Sequence, residues 1–419
     1  MRRCFSTFPP AWGQALALLA LALAGVIATA GCGSSGDDDA ARGDAAGNPP
    51  GVSTPSGDLI DWKLFGRVPQ RLHYLAGNLN PPLKQVWAYN DQALIEFPPA
   101  IALGQLFVVN KYSNVRALNA QTGKVVWDLR RDRHYKGPAS DVTAPVFGRE
   151  QVFVAFEDGT LVSLDARNAR VEWKRKLPTT LQSSPLLIGK TLYIGSDNGT
   201  LFALDTAQGK TRWTHRVPHV IKASPSYDHG TIYFGDYGGA MFAVRASDGK
   251  PVWRTNTDDV GPGGKGGFYS SPAVANGRVY AGRDDGTIFA LDQRTGKYSW
   301  TFATGDAMYG SPAVADVPGT PGSTVYIGSY DKHLYAIDAL SGKLRWRHGV
   351  GGAVPGTAVV IGHTVYTSSF ATGKSIGIDV RSHKKVFSYG SPGYTPMVSD
   401  GRSLFLVGYY SIHRFDPKG

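Results

Sequence analysis

A short phrase recurring along the chain constrains its fold more than any other feature. An alternating apolar run closes on Asp, a Gly-Lys turn follows, and a tryptophan stands three residues beyond the Lys. It reads ALNAQTGKVVW (Ala117–Trp127), SLDARNARVEW (Ser163–Trp173), ALDTAQGKTRW (Ala203–Trp213), AVRASDGKPVW (Ala243–Trp253), ALDQRTGKYSW (Ala290–Trp300), AIDALSGKLRW (Ala336–Trp346) and a decayed GIDVRSHKKVF (Gly377–Phe387). Successive copies stand about 40–47 residues apart, the period of four-stranded propeller blades. Within one unit, Ser183–Arg216, period-2 runs of β-branched and aromatic residues are separated by Asn198-Gly199 and Gly209-Lys210. That is the pattern of successive hairpins.

An eighth unit begins at Tyr394-Thr395-Pro396, runs through Ser403–Tyr410 and reaches HRFDPKG with no tryptophan strand after it. The missing strand stands at the other end, in LKQVWAYN (Leu83–Asn90), where Trp87 has no partner strands before it. The expectation is a ring of eight sheets closed by Trp87's strand on the last blade, which removes the open edges a lone sheet exposes. Trp87, Trp127, Trp173, Trp213, Trp253, Trp300 and Trp346 then pack between blades. The Gly before Lys supplies a positive φ at each turn. Ala169 and His383 replace it in the second and seventh units, so those two turns are expected to be looser or differently shaped.

With these residues in view, the chain resembles the quinoprotein-type (PQQ-repeat) β-propellers. The likeness rests on the recurring A-[LI]-D-x-x-[TS]-G-K-x-x-W and the Y-x-G-S-x-D/N-G before it, across Leu83–Gly419. The stretch Asp61–Leu75, DWKLFGRVPQRLHYL, is similar to the lead-in that precedes many such propellers. The family contains PQQ-dependent alcohol and sugar dehydrogenases, and also non-catalytic lipoproteins of the BamB-like branch. Fold alone does not choose between them. In the enzymes the resemblance implies a pair of adjacent cysteines, a calcium held by Glu, Asn and Asp, and a catalytic Asp. The adjacent cysteines are missing here, no Cys-x-x-Cys-His haem motif follows the propeller, and no cofactor-site residue carries over. Asp158-Gly159, Asn198-Gly199 and Asp285-Gly286 read as hairpin turns. The resemblance therefore favours the BamB-like branch.

Residues 1–32 form a basic start, an Ala/Leu-rich apolar run and Thr29-Ala30-Gly31-Cys32, the layout of an export signal. Small residues before Cys32 resemble a lipobox, which would make Cys32 the lipidated first residue. Residues 33–57 are rich in Gly, Ser, Asp and Pro without aromatics, a composition suited to a tether. Residues 58–82 are the lead-in and residues 83–419 the propeller. The two cysteines are Cys4 and Cys32, so the ring is held by closure and stacking without a disulfide.

The net charge of +11 is scattered over turns and strand edges rather than gathered in a stripe, which argues against nucleic acid as a partner. His215 and His219 lack a third ligand, so no metal is assigned. Gly261–Gly267 lacks the Gly-Lys-Ser/Thr ending of a phosphate loop and reads as a flexible link. Residues just before the Ser-Pro strand starts should face the central funnel. These are Glu96, Gln182, Lys222, Tyr269 and Tyr309, with Val142, Pro355 and Gly393 at the equivalent places. Long links at Arg131–Val142 and Asp258–Tyr269 should crown the same face.

These readings predict an all-β, eight-bladed propeller, exported, monomeric and membrane-tethered through Cys32. It would act as a non-catalytic binding or scaffold module for an envelope protein or glycan, with no cofactor. The alternatives are a PQQ-dependent oxidoreductase, with PQQ and calcium in the funnel, and an extracytoplasmic ligand sensor.

Overall fold

The computed structural model describes residues 60–130, 142–261, 264–394 and 397–418. Cys32, the export signal and the tether lie outside the described residues, as does most of the link Arg131–Val142. The described part is built of strands alone, arranged as eight sheets. Six blades are consecutive four-stranded meanders with innermost strands Ala100–Ala102, Val146–Gly148, Leu186–Ile188, Ser226–Asp228, Ala273–Ala275 and Ala313–Ala315. These are blades 1 to 6. Blade 7 starts at Val359–Ile361 and carries Tyr74–Leu75 as a fifth, parallel strand. Blade 8 is Met397–Ser399, Leu404–Val407, Ser411–Pro417 and, outermost, Leu83–Asn90. Trp87 pairs with Arg414 across that closing ladder. The expected closure holds.

The letters of the repeat each have a physical job. Inner strands such as Thr200–Asp205 are buried almost throughout, whereas the outer strand Thr211–Arg216 alternates between exposed and half-buried positions. Only the outer strand has a face toward water, so only it shows strict alternation. The small residue opening each motif pairs directly with its aromatic: Ala117 with Trp127, Ser163 with Trp173, Ala203 with Trp213 and Gly377 with Phe387. A larger side chain there would fill the space over which the indole lies. A ring on the second strand meets each indole with centroids 5.7–6.0 Å apart, from Phe107–Trp127 to Phe405–Trp87. The motif's Asp (Asn119 in blade 1, replaced by Arg245 in blade 4) caps its own turn: the Oδ1 of Asp205 accepts from the N–H groups of Ala207 and Gln208, and that of Asp338 from Leu340 and Ser341. This is the Asx turn that makes Asp and Asn preferred there.

Indoles also join blade to blade. The Nε1–H of Trp127 donates to Ala166 O, Trp173 to Thr206 O, Trp213 to Ala246 O, Trp253 to Gln293 O and Trp300 to Ala339 O. Trp87 donates to Ala120 O and so locks blade 8 onto blade 1. The turn glycine of the next blade lies under five of these rings, all but Trp127, which faces the turn of Ala169. A Cβ on Gly209 would stand 2.8 Å from Trp173, and one on Gly249 would stand 2.5 Å from Trp213.

Ala169 and His383 correct one expectation. Their turns are not looser: φ is 61° and 60°, against 67° at Gly209. Each N–H closes the same bond, to Asp165 O and Asp379 O. The surrounding turn forces an L-residue into the left-handed region, at a cost of roughly 1 kcal/mol. Ala169→Gly should therefore raise the urea midpoint by an amount equivalent to about 0.5–1 kcal/mol. The His383 ring stacks 5.1 Å from Trp346, so His383→Gly trades backbone relief for a lost contact and should change stability little.

The turn carboxylates also predict an acid limb. Burial alone would raise the Asp338 pKa, but hydrogen bonds from Arg345 and Ser341 overcome it and hold the group down to about 2. A depressed carboxylate contributes stability that is present above its unfolded pKa and lost as pH falls toward the folded one. Asp338→Asn should flatten the loss of stability between pH 4 and about 2, measured as urea midpoints against pH. An unchanged slope would assign that limb to other groups.

Two rings of hydrogen bonds line the axis. Hydroxyls of the Ser-Pro starts link neighbours: Ser184 Oγ accepts from Ala144 N–H, Ser224 from Ser184, Ser271 from Ser224, Ser311 from Ser271, and Thr357 from Ser311. The lead-in then crosses the centre and offers its carbonyls in turn. Trp62 O accepts from Ile101, Lys63 O from Phe147, Pro69 O from Tyr227, Gln70 O from Val274, Leu72 O from Val314 and His73 O from Val360. Arg71, fully buried, bridges the inner strands of blades 3 and 4 by donating to Ser184 O and Pro225 O. The segment is a stopper at one end of the channel.

Candidate functional site

The other end is the funnel. Two kinds of segment meet there, the links into each innermost strand and the hairpin turns between second and third strands. The first supplies Gln182, Lys222, Tyr269 and Tyr309. The second supplies Glu157, Asp197, Tyr237, Asp284, Tyr330, Phe370 and Tyr409. Three of the expected funnel residues, Lys222, Tyr269 and Tyr309, come together in a chain of contacts, and Gln182 pairs with Glu157. Gln182 Nε2 donates to Glu157 at 3.4 Å. The Lys222 ammonium stands 5.0 Å from the Tyr237 ring centre and 5.5 Å from that of Tyr269, within cation–π range. Tyr269 meets Tyr309 edge-to-face at 5.8 Å, and Tyr309 meets Tyr330 at 5.1 Å.

Glu96, half-buried, lies at the seam of blades 8 and 1, where the neighbouring Ile95 N–H donates to Tyr409 O. Two equivalent positions do not line the funnel. Val142 is buried and bridges Phe156, and a Cβ on Gly393 would stand 1.9 Å from Val407 O. The expectation of one funnel residue per blade is thus too regular, because some links pack inward.

The structure adds aromatics that the alignment on Ser-Pro missed. Phe370, Tyr394 and Tyr409 form a second cluster on blades 7 and 8, with centroids 4.8, 5.6 and 6.3 Å apart. Tyr410 lies against Tyr409 at 4.6 Å and is exposed. The signal was available: GDYGG, GSYDK, SSFAT and VGYYS each place an aromatic in the turn after the second strand.

Burial sets the electrostatics. It raises the phenol pKa values of Tyr237, Tyr309 and Tyr330, helped by Asp284 at the first two and by Asp306 at the last two. Desolvation likewise raises the carboxyl groups of Asp197 and Asp284 above the ordinary range, against a hydrogen bond from Thr180 and one from the Gly267 N–H. The site therefore holds neutral phenols, one ammonium and flanking carboxyls.

Part of the lip is pinned from below. The Arg283 guanidinium, fully buried, donates to Thr257 O, Val260 O and the Asp285 carboxylate. Asp284 Oδ1 accepts from Gly267 N–H at 2.7 Å. The described ends of the glycine-rich link are thus tied to blade 5, more tightly than its composition suggests.

The adjacent cysteine pair that the resemblance implies for PQQ has no counterpart in the ring. Both cysteines of the chain lie before the propeller. Among the described residues no three of His, Cys, Asp and Glu converge as a metal-holding group. Also among the described residues, no helix is long and apolar enough to cross a membrane.

Comparison with known proteins gives a consistent fold and a divided function. The family model described as outer membrane protein assembly factor BamB matches residues 83–215 and 197–418. The outer membrane protein assembly factor BamB of Xanthomonas campestris is 29% identical over 93 residues, 21% of this chain and 22% of that protein. The quinohemoprotein alcohol dehydrogenase ADH-IIG of Pseudomonas putida is 29% identical over 171 residues, 38% of this chain and 23% of that protein. The matched stretches thus span about a quarter or less of these relatives' own length. Among solved structures, BamB from Moraxella catarrhalis has a TM-score of 0.65 at 18% identity, covering 80% of this chain and 98% of that one. Quinohemoprotein alcohol dehydrogenase from Comamonas testosteroni has a TM-score of 0.70 at 16% identity, covering 86% and 81%. At such identities the likeness is one of fold.

Proposed function

The chain belongs to the family described as outer membrane protein assembly factor BamB, and from that premise we propose that it is a non-catalytic binding and scaffold module of the cell envelope. It is exported, lipidated at Cys32 and held to a membrane by the 33–57 tether. Its funnel face docks a protein partner, in keeping with the assembly role in the relatives' name. The observation that carries this reading is the funnel itself. Aromatics from neighbouring links and turns gather in two clusters on loops of a rigid ring, and loops on such a scaffold are suited to recognition.

The relatives that are quinohemoprotein alcohol dehydrogenases support the alternative, a PQQ-dependent oxidoreductase. The missing cysteine pair counts against it. Adding PQQ with calcium should leave the melting temperature unchanged, and a rise would reinstate the enzyme reading.

The scaffold reading is tested in cells by a photo-cross-linking residue placed at Tyr410 on the funnel rim or at Val171 on an outer strand, both exposed. Adducts to an envelope protein are expected from Tyr410 and not from Val171. Equal adducts from both, or none from either, would reject the docking face. Cys32→Ser should release the protein from the membrane fraction; retention would reject the lipid anchor.

A further inference from the structure

Inside the rim, the same funnel carries a finer arrangement, and we infer that the arc Tyr237–Tyr269–Tyr309–Tyr330 with Lys222 is a binding site for a neutral saccharide. The inference rests on the funnel being the face at which this module binds, and goes beyond a protein partner at the rim.

Ring geometry comes first. Successive centroids stand 6.3, 5.8 and 5.1 Å apart at interplanar angles of 71°, 87° and 75°. Each ring is braced on its neighbour's edge, so the arc is held in place before a ligand arrives. Rigid tyrosines provide contact area at small entropic cost. Each has an apolar face and a hydroxyl that both donates and accepts.

Charge then narrows the ligand. Lys222 lies over two of the rings, while Asp284 acts on Tyr237 and Tyr309 and Asp197 lies within reach of Lys222. A polycation would be repelled by the ammonium that lies over two of the rings. A polyanion would meet two carboxyls. Apolar side chains would strip water from all three groups and return no hydrogen bonds of their own. A pyranose meets every requirement: its C–H face lies on a ring, its hydroxyls donate to carboxyl oxygens, and they accept from the ammonium.

The test is calorimetric titration of the full chain in detergent with cellohexaose and chitohexaose, beside the cationic chitosan hexamer and an anionic hexagalacturonate. Both neutral oligosaccharides should bind, and both charged ones should bind more weakly. Tyr269→Ala with Tyr309→Ala should weaken the neutral ligands by at least about tenfold, while the paired Tyr→Phe variant keeps most of the affinity. Charge selectivity is read on the unaltered protein, so the test survives if the alanine pair fails to fold. Absence of heat with both neutral ligands would overturn the inference, and so would tighter binding of a charged one. Cross-linked protein at Tyr410 with no saccharide binding would overturn it while leaving the scaffold reading intact. Saccharide binding with no adduct would do the reverse.

Discussion

Trp87→Ala is expected to lower the free energy of unfolding by about 3 kcal/mol, the low end for a tryptophan because its ring is half-buried. The same substitution at Trp213 should cost less. Both indoles meet a second-strand ring at nearly the same distance, 5.9 Å to Phe405 and 5.7 Å to Tyr193, and both donate to a carbonyl of the next blade. They differ in what the strand does. Trp213 lies in a strand continuous with its own blade, whereas Trp87 lies in one that joins the two ends of the described chain. Loosening Leu83–Asn90 also frees the outer edge of Ser411–Pro417 and the seam where Arg414 donates to Gln121 O and Oε1. Urea unfolding measures the energy, and hydrogen exchange of the Ser411–Pro417 amides measures where it goes. Opening confined to blade 8 in Trp87→Ala is the expected pattern. Equal losses at Trp87 and Trp213, with no local opening, would mean that closure adds nothing beyond one blade contact.

Much of this could be read in the chain before any coordinates. The repeat fixed blade number and closure because each letter answers a local requirement: Asp for the turn's N–H groups, Gly for φ near 70° beneath an indole, and Ala opposite that indole. Lys222, Tyr269 and Tyr309 stand side by side at equivalent places before their inner strands, and a position relative to Ser-Pro is itself local. What escaped depends on the closed ring. Ala169 and His383 keep their turns because the blades on either side hold them, an influence no single unit displays. The carbonyls of Trp62 to His73 are satisfied by N–H groups up to several hundred residues away, and no periodicity announces such partners. Arg71 is the extreme case: a charged side chain in a segment between two patterns gives no sign that it will be fully buried.

Arg71→Met should be the most damaging single change in the lead-in, at about 3–5 kcal/mol. The guanidinium donates to Pro225 O at 2.7 Å, Phe65 O at 2.5 Å and Ser184 O at 3.3 Å, and lies over the Phe65 ring at 5.5 Å. Burial pulls its pKa down to about 9, so it is charged at neutral pH, and its guanidinium donates to three backbone carbonyls. Methionine fills much of the volume but leaves three acceptors in a dry centre without their donor. Arg71→Lys should recover part of the loss, since one ammonium can serve some of these carbonyls but cannot reproduce the planar fork. The readout that separates this from a general loss of stability is local. The N–H groups of Tyr227, Val274 and Val314, which donate to Pro69, Gln70 and Leu72, should lose exchange protection in Arg71→Met while the amides beside Trp253 and Trp300 keep theirs. If all of these stay equally protected, the backbone bonds alone hold the stopper. The buried arginine would then be a cost the ring tolerates rather than the pin that seats the segment at its centre.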